Sequence, residues 1–208
     1  TDDFIFTKYI TTPFGVDLEM TISGTGLIQV DWGNGQSNSY QNPTAQDISH
    51  TYTFQDTYTI TIKGRLDAIL LDNNQTSALT DNLVITQWGT SQWKTMEGVF
   101  ERSKVRIAAV DAPNLSQVIS MSRMFYGSGF NDDISHWDVS NVEDMSELFY
   151  QNNSFNNSLN NWDVSSVTNM SGMFAGASSF NQPIGQWKTN QVTNMRYMFQ
   201  FASSFNQP

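Results

Sequence analysis

Trp162 to Phe174 reads WDVSSVTNMSGMF, and 25 residues earlier Trp137 to Phe149 reads WDVSNVEDMSELF. The same pattern extends outward from this pair. MSRMF occupies 121–125 and MRYMF occupies 195–199, while Trp187 continues the Trp column and Phe130, Phe155, Phe180 and Phe205 form another. MEGVF at 96–100 lies one period before MSRMF and reads as a degenerate first coil, and Glu97, Glu101, Arg102 and Lys104 give it a polar cap. A fixed period of this size predicts stacked coils, each burying its apolar face against the next.

Within residues 155–179, Leu159, Trp162 and Val164 have the spacing of a leucine-rich-repeat strand. Val167, Met170, Met173 and Phe174 recur at three and four residues, which predicts a short helix. Asn169, with Asp144 and Asn194 in the neighbouring coils, stands where an N-cap would. Stacking should set Trp on Trp, Met on Met and Phe on Phe. Asn131, Asn156, Asn181 and Asn206 form a polar column, expected to bond the backbone of the next turn rather than to serve as a row of glycan-binding amides.

Upstream, residues 4–63 read as strands. IQVDW at 28–32 and TYTITI at 57–62 alternate, and GNG at 33–35 predicts a tight type I′ hairpin turn. Several short strands of this kind predict a β-sandwich. DNNQTS at 72–77 is loop-like in composition.

The whole chain has 208 residues, 38% apolar, 13% aromatic and only 14% charged, so its surface is mostly Asn, Gln, Ser and Thr. A formal charge of −10 disfavours nucleic acid and anionic lipid, both of which need a basic footprint. With no cysteine, disulfides and thiolate metal sites are excluded. No apolar run is long enough to span a membrane. The sequence starts at Thr1 and stops within a coil at SSFNQP, so it reads as a piece of a longer protein whose export signal and anchor lie outside it.

No motif for nucleophilic, metal-dependent or nucleotide chemistry occurs, and the reading is non-enzymatic with no cofactor. His50 and His136 are far apart in sequence, and His50 reads as a structural residue. The acid pairs Asp132–Asp133 and Glu143–Asp144 are adjacent and read as solvated turn charges. Calcium is left open by Asp31 and Asn34, which flank the GNG turn, although no full set of oxygen ligands is spaced around them. If Trp137 and Val139 point inward from a strand, His136 and Asp138 point out, followed by Asn161 with Asp163 and Gln186 with Lys188. This face is the candidate contact surface. Arg123, Glu147, Gly172 and Tyr197, placed on the expected helices, form the second choice.

Coils of the form W-D-V-S-x-V-T-x-M-S-x-M-F resemble the BspA-like leucine-rich-repeat surface proteins of bacteria. VDWGNG at 30–35, His50-Thr51-Tyr52 and Thr57 to Ile60 are similar to the polycystic kidney disease (PKD) domain, with Asp56 where that family usually has Gly. The two resemblances imply export, cell-surface display, and adhesion or protein interaction. The expected architecture is mixed and β-leaning. An N-terminal PKD/Ig-like β-sandwich over 1–65 and a linker over 66–82 precede a capped, right-handed leucine-rich-repeat-like solenoid over 83–208, with one short strand and one short helix per coil. The expected protein is an extracellular monomer binding a protein or glycan on a host, matrix or neighbouring cell; a passive stalk is the alternative.

Overall fold

Alternation of apolar residues builds the first part of the molecule. In a computed structural model, which describes residues 2–10, 15–71 and 81–208, seven strands form one sheet. They are β1 (Phe4–Ile10), β2 (Val16–Asp31), β3 (Ser37–Gln41), β4 (Gln46–Tyr52), β5 (Asp56–Leu71), β6 (Asp81–Gln87) and β7 (Lys104–Ile107). Along β5, Tyr58, Ile60 and Ile62 are buried, with Thr59 exposed and Thr61 half-buried between them, as a half-buried strand requires. Phe4, Phe6 and Ile10 of β1 and Leu18, Met20, Ile22, Ile28 and Val30 of β2 join the same core.

The sheet order is β3-β2-β5-β1-β6-β7, with β4 also paired to β2. β2 pairs β4 over Val16–Ile22 and β3 over Leu27–Asp31, so two short strands succeed each other along one long one. All pairings are antiparallel except β6 with β7. This mixed sheet corrects the expected β-sandwich. Alternation specifies which face of a strand is buried, not which strand it pairs with. Glycines that would normally end a strand instead make bulges, and β2 and β5 each run for 16 residues. The β2–β5 register shifts at Ser23/Gly24 and between Thr25 and Gln29. Gly64, at φ 109°, allows the second shift: a Cβ there would lie 2.5 Å from the Leu27 carbonyl oxygen.

The expected two-residue turn is also corrected. Residues 32–36 connect β2 to β3, and the positive φ angles fall on Gly33 (77°) and Gly35 (84°) rather than on Asn34 and Gly35. A type I′ turn needs two successive positive angles.

By contacts the chain divides into Thr1–Trp93 with Lys104–Asn114, and Lys94–Ser103 with Leu115–Pro208. Residues 72–80, including the loop-like DNNQTS and much of the expected linker, lie outside the described residues.

The second unit contains no helix and no strand among its described residues, which corrects the expected solenoid with one strand and one helix per coil. The 25-residue units do meet in succession, but through turns. Met145 N–H donates to Asn169 O (3.0 Å), Glu147 to Ser171 O (2.9 Å), Phe149 to Met173 O (2.9 Å) and Gln151 to Ala175 O (2.7 Å). The intervening N–H groups turn back within the coil, Leu148 to Met145 O (3.3 Å) and Tyr150 to Glu147 O (3.0 Å). The coils beginning at Met96, Met121 and Met170 repeat this alternation.

Two backbone angles per coil explain why no helix forms. Gly98, Arg123, Glu147, Gly172 and Tyr197 have φ between 54° and 65°, and Arg102, Gly127, Gln151, Gly176 and Phe201 between 53° and 73°. A left-handed residue every few positions ends each turn before an i→i−4 bond can close. Tandem turns therefore return apolar side chains to one face at the three-and-four spacing that reads as a helix. The expected leucine-rich-repeat strand fails similarly: Trp137 N–H closes a turn on Ile134 O (3.1 Å), and Val142 N–H closes one on Val139 O (2.9 Å). Parallel pairing is confined to single bridges, Ser120 with Asp144, Asp144 with Asn169 and Asn169 with Asn194.

The core of this unit is columnar. Phe125, Phe149, Phe174 and Phe199 stack at 5.6–5.7 Å with ring planes 6–7° apart. Each of these rings from Phe125 to Phe199 also lies 3.9–4.1 Å from the second Phe of its own coil. Such pairs add about 0.5–1.5 kcal/mol each beyond burial of their area.

Candidate interaction surface

His136, Asp138, Asn161, Asp163, Gln186 and Lys188 are all exposed, at equivalent places in successive coils. Trp137, Val139, Trp162 and Val164 beside them are buried. The residues sit on turns rather than on a strand, and their carboxylates help to make those turns. Asp138 accepts the Ser140 N–H at 3.1 Å and its hydroxyl at 2.6 Å, and Asp163 accepts the Ser165 N–H at 3.0 Å. The Ser165 hydroxyl and then its N–H hold the Asp163 carboxyl below its ordinary range, with a smaller contribution from Lys188. Asp133 is lowered in the same way by the Ser135 N–H and hydroxyl, helped by His136. The row is therefore an exposed line of turn-fixed carboxylates with a histidine at one end and a lysine at the other.

In the same coils, the Asn column bonds as its spacing predicts. Asn131 Oδ1 accepts the Asn156 N–H (2.8 Å), Asn156 Oδ1 the Asn181 N–H (2.9 Å), and Asn181 Oδ1 the Asn206 N–H (2.9 Å). Asn157, Gln182 and Gln207 add side-chain N–H donors to the same oxygens. Asp144, Asn169 and Asn194 each accept an N–H two residues on, capping turns where helix starts were expected.

The second-choice row is divided. Arg123 bridges successive coils, donating to Glu101 at 2.7 and 3.1 Å and to Glu147 at 2.6 Å, with its guanidinium 4.2 Å from the Tyr126 ring centroid. The Glu101 hydrogen bond raises its pKa further, so it is cationic at any accessible pH. Arg123 and Glu147 are thus joined in a ladder of ion pairs, while Tyr197 is 58% exposed.

In the sheet unit, His50 stacks on Trp32 (4.9 Å, 11°) and meets Tyr52 edge-on (4.8 Å). Its Nε2 lies 2.9 Å from Asn34 Nδ2. Burial lowers its pKa, and Asp17 partly offsets this. The Tyr52 hydroxyl donates to Trp32 O at 2.8 Å, and burial raises the phenol's pKa. Asp31 and Asn34 turn their oxygens to the N–H groups of Gly33 (2.9 Å) and Gln36 (3.2 Å). Among the described residues, no group of three or more His, Asp or Glu side chains converges on a metal-sized site, and no helix is long and apolar enough to cross a membrane.

Sequence reasoning missed one feature, a groove of about 500 Å³ that follows the second left-handed position of each coil. Most of its residues follow the expected helices, at places the repeat reading treats only as turns, and Arg102 reads as part of the polar cap. Alternation of Gly with long side chains at Arg102, Gly127, Gln151 and Gly176 was the available signal.

Residues 71–158 and 127–208 match a family model described as a Mycoplasma protein of unknown function, DUF285. No curated protein and no solved structure matches.

Proposed function

For a chain that belongs to the DUF285 family, we propose a non-catalytic role as a bacterial cell-surface adhesion or interaction module. It binds a protein or glycan through the row His136, Asp138, Asn161, Asp163, Gln186 and Lys188. One observation carries this reading: the buried columns repeat from coil to coil, while the exposed residues in register with them change in charge and type. Likeness of the repeats to BspA-like surface proteins, and of VDWGNG and His50-Thr51-Tyr52 to PKD modules, supports export and display. Contact is direct and needs no cofactor. Replacing Asp138, Asp163 and Lys188 together by alanine should abolish adhesion to host matrix or a partner cell. Adhesion that survives the triple substitution removes this face from consideration.

A passive spacer is the second reading, favoured by the uninterrupted Phe columns, which make one coil mechanically equivalent to the next. It requires that an array of proteins and glycans yield no ligand, and that function survive removal of one coil.

A further inference from the structure

The groove along the left-handed row has a chemistry unlike the rest of this acidic chain. Among the described residues, Arg102, Tyr126, Gln151, Asn153, Ser178 and Phe201 line it, and no carboxylate does. Its floor is backbone at Gly127 and Gly176. A Cβ at Gly127 would sit 3.4 Å from Arg102 Cγ, and one at Gly176 would sit 3.2 Å from Gln151 Cγ. The Arg102 and Gln151 side chains thus lie close against the backbone of the two glycines, which a larger residue there would displace.

Three properties narrow the occupant. First, the groove crosses successive coils from Arg102 to Phe201, about 20 Å at the ~4.8 Å spacing of adjacent chains, so it fits an extended oligomer. Second, the adjoining N–H groups are already used. Arg102 donates to Tyr126 O, Gly127 to Tyr150 O, Gln151 to Ala175 O and Gly176 to Gln200 O. A peptide cannot add here as a further strand, and recognition falls to side chains. Third, those side chains offer two amides (Gln151, Asn153), two hydroxyls (Tyr126, Ser178), one cation (Arg102) and two aromatic rings (Tyr126, Phe201). The Phe201 ring is 79% exposed. The Arg102 side chain is 44% exposed, with its guanidinium 5.5 Å from the Tyr126 ring centroid, and it meets Glu101 only at 4.0 Å because Glu101 is held by Arg123 at 2.7 and 3.1 Å.

We infer that this groove binds an acidic glycan, an oligosaccharide containing uronic acid units. Arg102 pairs with a sugar carboxylate, as guanidinium groups do with planar oxyanions. The Gln151 and Asn153 amides and the Ser178 hydroxyl bond ring hydroxyls, and Phe201 lies against the apolar face of a sugar ring. The site occupies a different stretch of each coil from the His136–Lys188 row and does not depend on that row's function.

The test is calorimetry on the 208-residue chain with four probes: a galacturonate hexamer, a hyaluronan hexasaccharide, neutral xylohexaose and a hexaglutamate peptide. At least one uronate probe should bind, and xylohexaose should bind more weakly. Arg102→Gln should weaken uronate binding by about two- to fivefold, the loss of one exposed charged contact. Asn153→Trp, which fills the groove from an exposed position, should abolish it, and Asp138→Ala should leave it unchanged. The proposal is overturned if neither uronate binds, if Arg102→Gln and Asn153→Trp both leave binding intact, or if hexaglutamate binds as tightly, which would indicate an acidic peptide. Loss of binding in Asp138→Ala alone would move the site to the other row.

Discussion

Single side chains in the sheet unit have consequences that depend on pH and on backbone angle. His50 is held between Trp32 and Tyr52, and burial lowers its pKa from 6.5. The unfolded chain therefore takes up the proton first, so folding stability from this group is complete above pH 6.5 and falls as pH drops through the lower folded value. The melting temperature should decrease between pH 7.5 and 5, and His50→Phe, which preserves an aromatic ring on Trp32, should flatten that decrease. Asp133 and Asp163 are also lowered, but from 3.8, so their contribution disappears only in more acidic solution and does not obscure the histidine. A pH-independent melt over that interval in the unmodified chain would refute this assignment. Backbone angle gives a second contrast. Gly35 (φ 84°) has open space where a Cβ would go, whereas at Gly64 (φ 109°) a Cβ would press on the Leu27 carbonyl. Gly35→Ala should cost about 1–2 kcal/mol from the angle alone. Gly64→Ala should cost more, because the β2–β5 bulge must also shift, and urea midpoints would rank the two.

At the level of the element, the coil is a chain of turns whose N–H groups alternate between closing the turn and joining the next coil. Gln151 adopts φ 53° where the coils on either side have Gly127 and Gly176. Gln151→Gly should therefore stabilise the chain by about 0.5–1 kcal/mol, the relief of left-handed strain less the added entropy of the unfolded glycine. A lower urea midpoint in that variant would show that the Gln151 side chain contributes more to packing than its angle costs. This element also shows what could be read from sequence. The period, the Trp, Met and Phe columns and the Asn ladder follow from residues recurring in register, because identical units that stack must place identical side chains together. The conformation within a unit did not follow. Met170, Met173 and Phe174 have helical spacing, yet Gly172 between them is left-handed, and its equivalents Arg123, Glu147 and Tyr197 give no glycine signal. In the sheet, TYTITI fixed the buried face of β5 but not its partners, and Gly64 read as a strand end where it is a bulge. The exposure of Asp138 and Asp163 was legible from the buried Trp and Val beside them, and that of Lys188 from its place in the repeat, whereas the groove was invisible because it depends on the left-handed row.

Over the whole second unit, the ladder tolerates a change in coil length wherever the coil does not contribute to it. Met121 to Met145 spans 24 residues and Met145 to Met170 spans 25, yet both coils make the same inter-coil bonds. The difference falls between Phe125 and Phe130, where Ser128 takes over the corner. Its hydroxyl donates to Phe125 O at 3.0 Å and accepts the Phe130 N–H at 3.2 Å. In the longer coil, Asn152 N–H closes on Phe149 O at 3.0 Å and Phe155 N–H on Asn152 O at 3.4 Å. Removing residues 145–169 should therefore leave a folded chain, since Ser171, Met173 and Ala175 would present to the preceding coil the carbonyl oxygens that Ser146, Leu148 and Tyr150 present now. The excised coil takes its own stacking with it, so the melting temperature should fall while the transition stays cooperative. Removing residues 145–156 should unfold the unit, because Phe and Met columns would then face turns of the wrong phase. Circular dichroism melts and hydrogen exchange at the inter-coil N–H groups distinguish these outcomes. Equal damage from the two deletions would mean that the columns do not set the register.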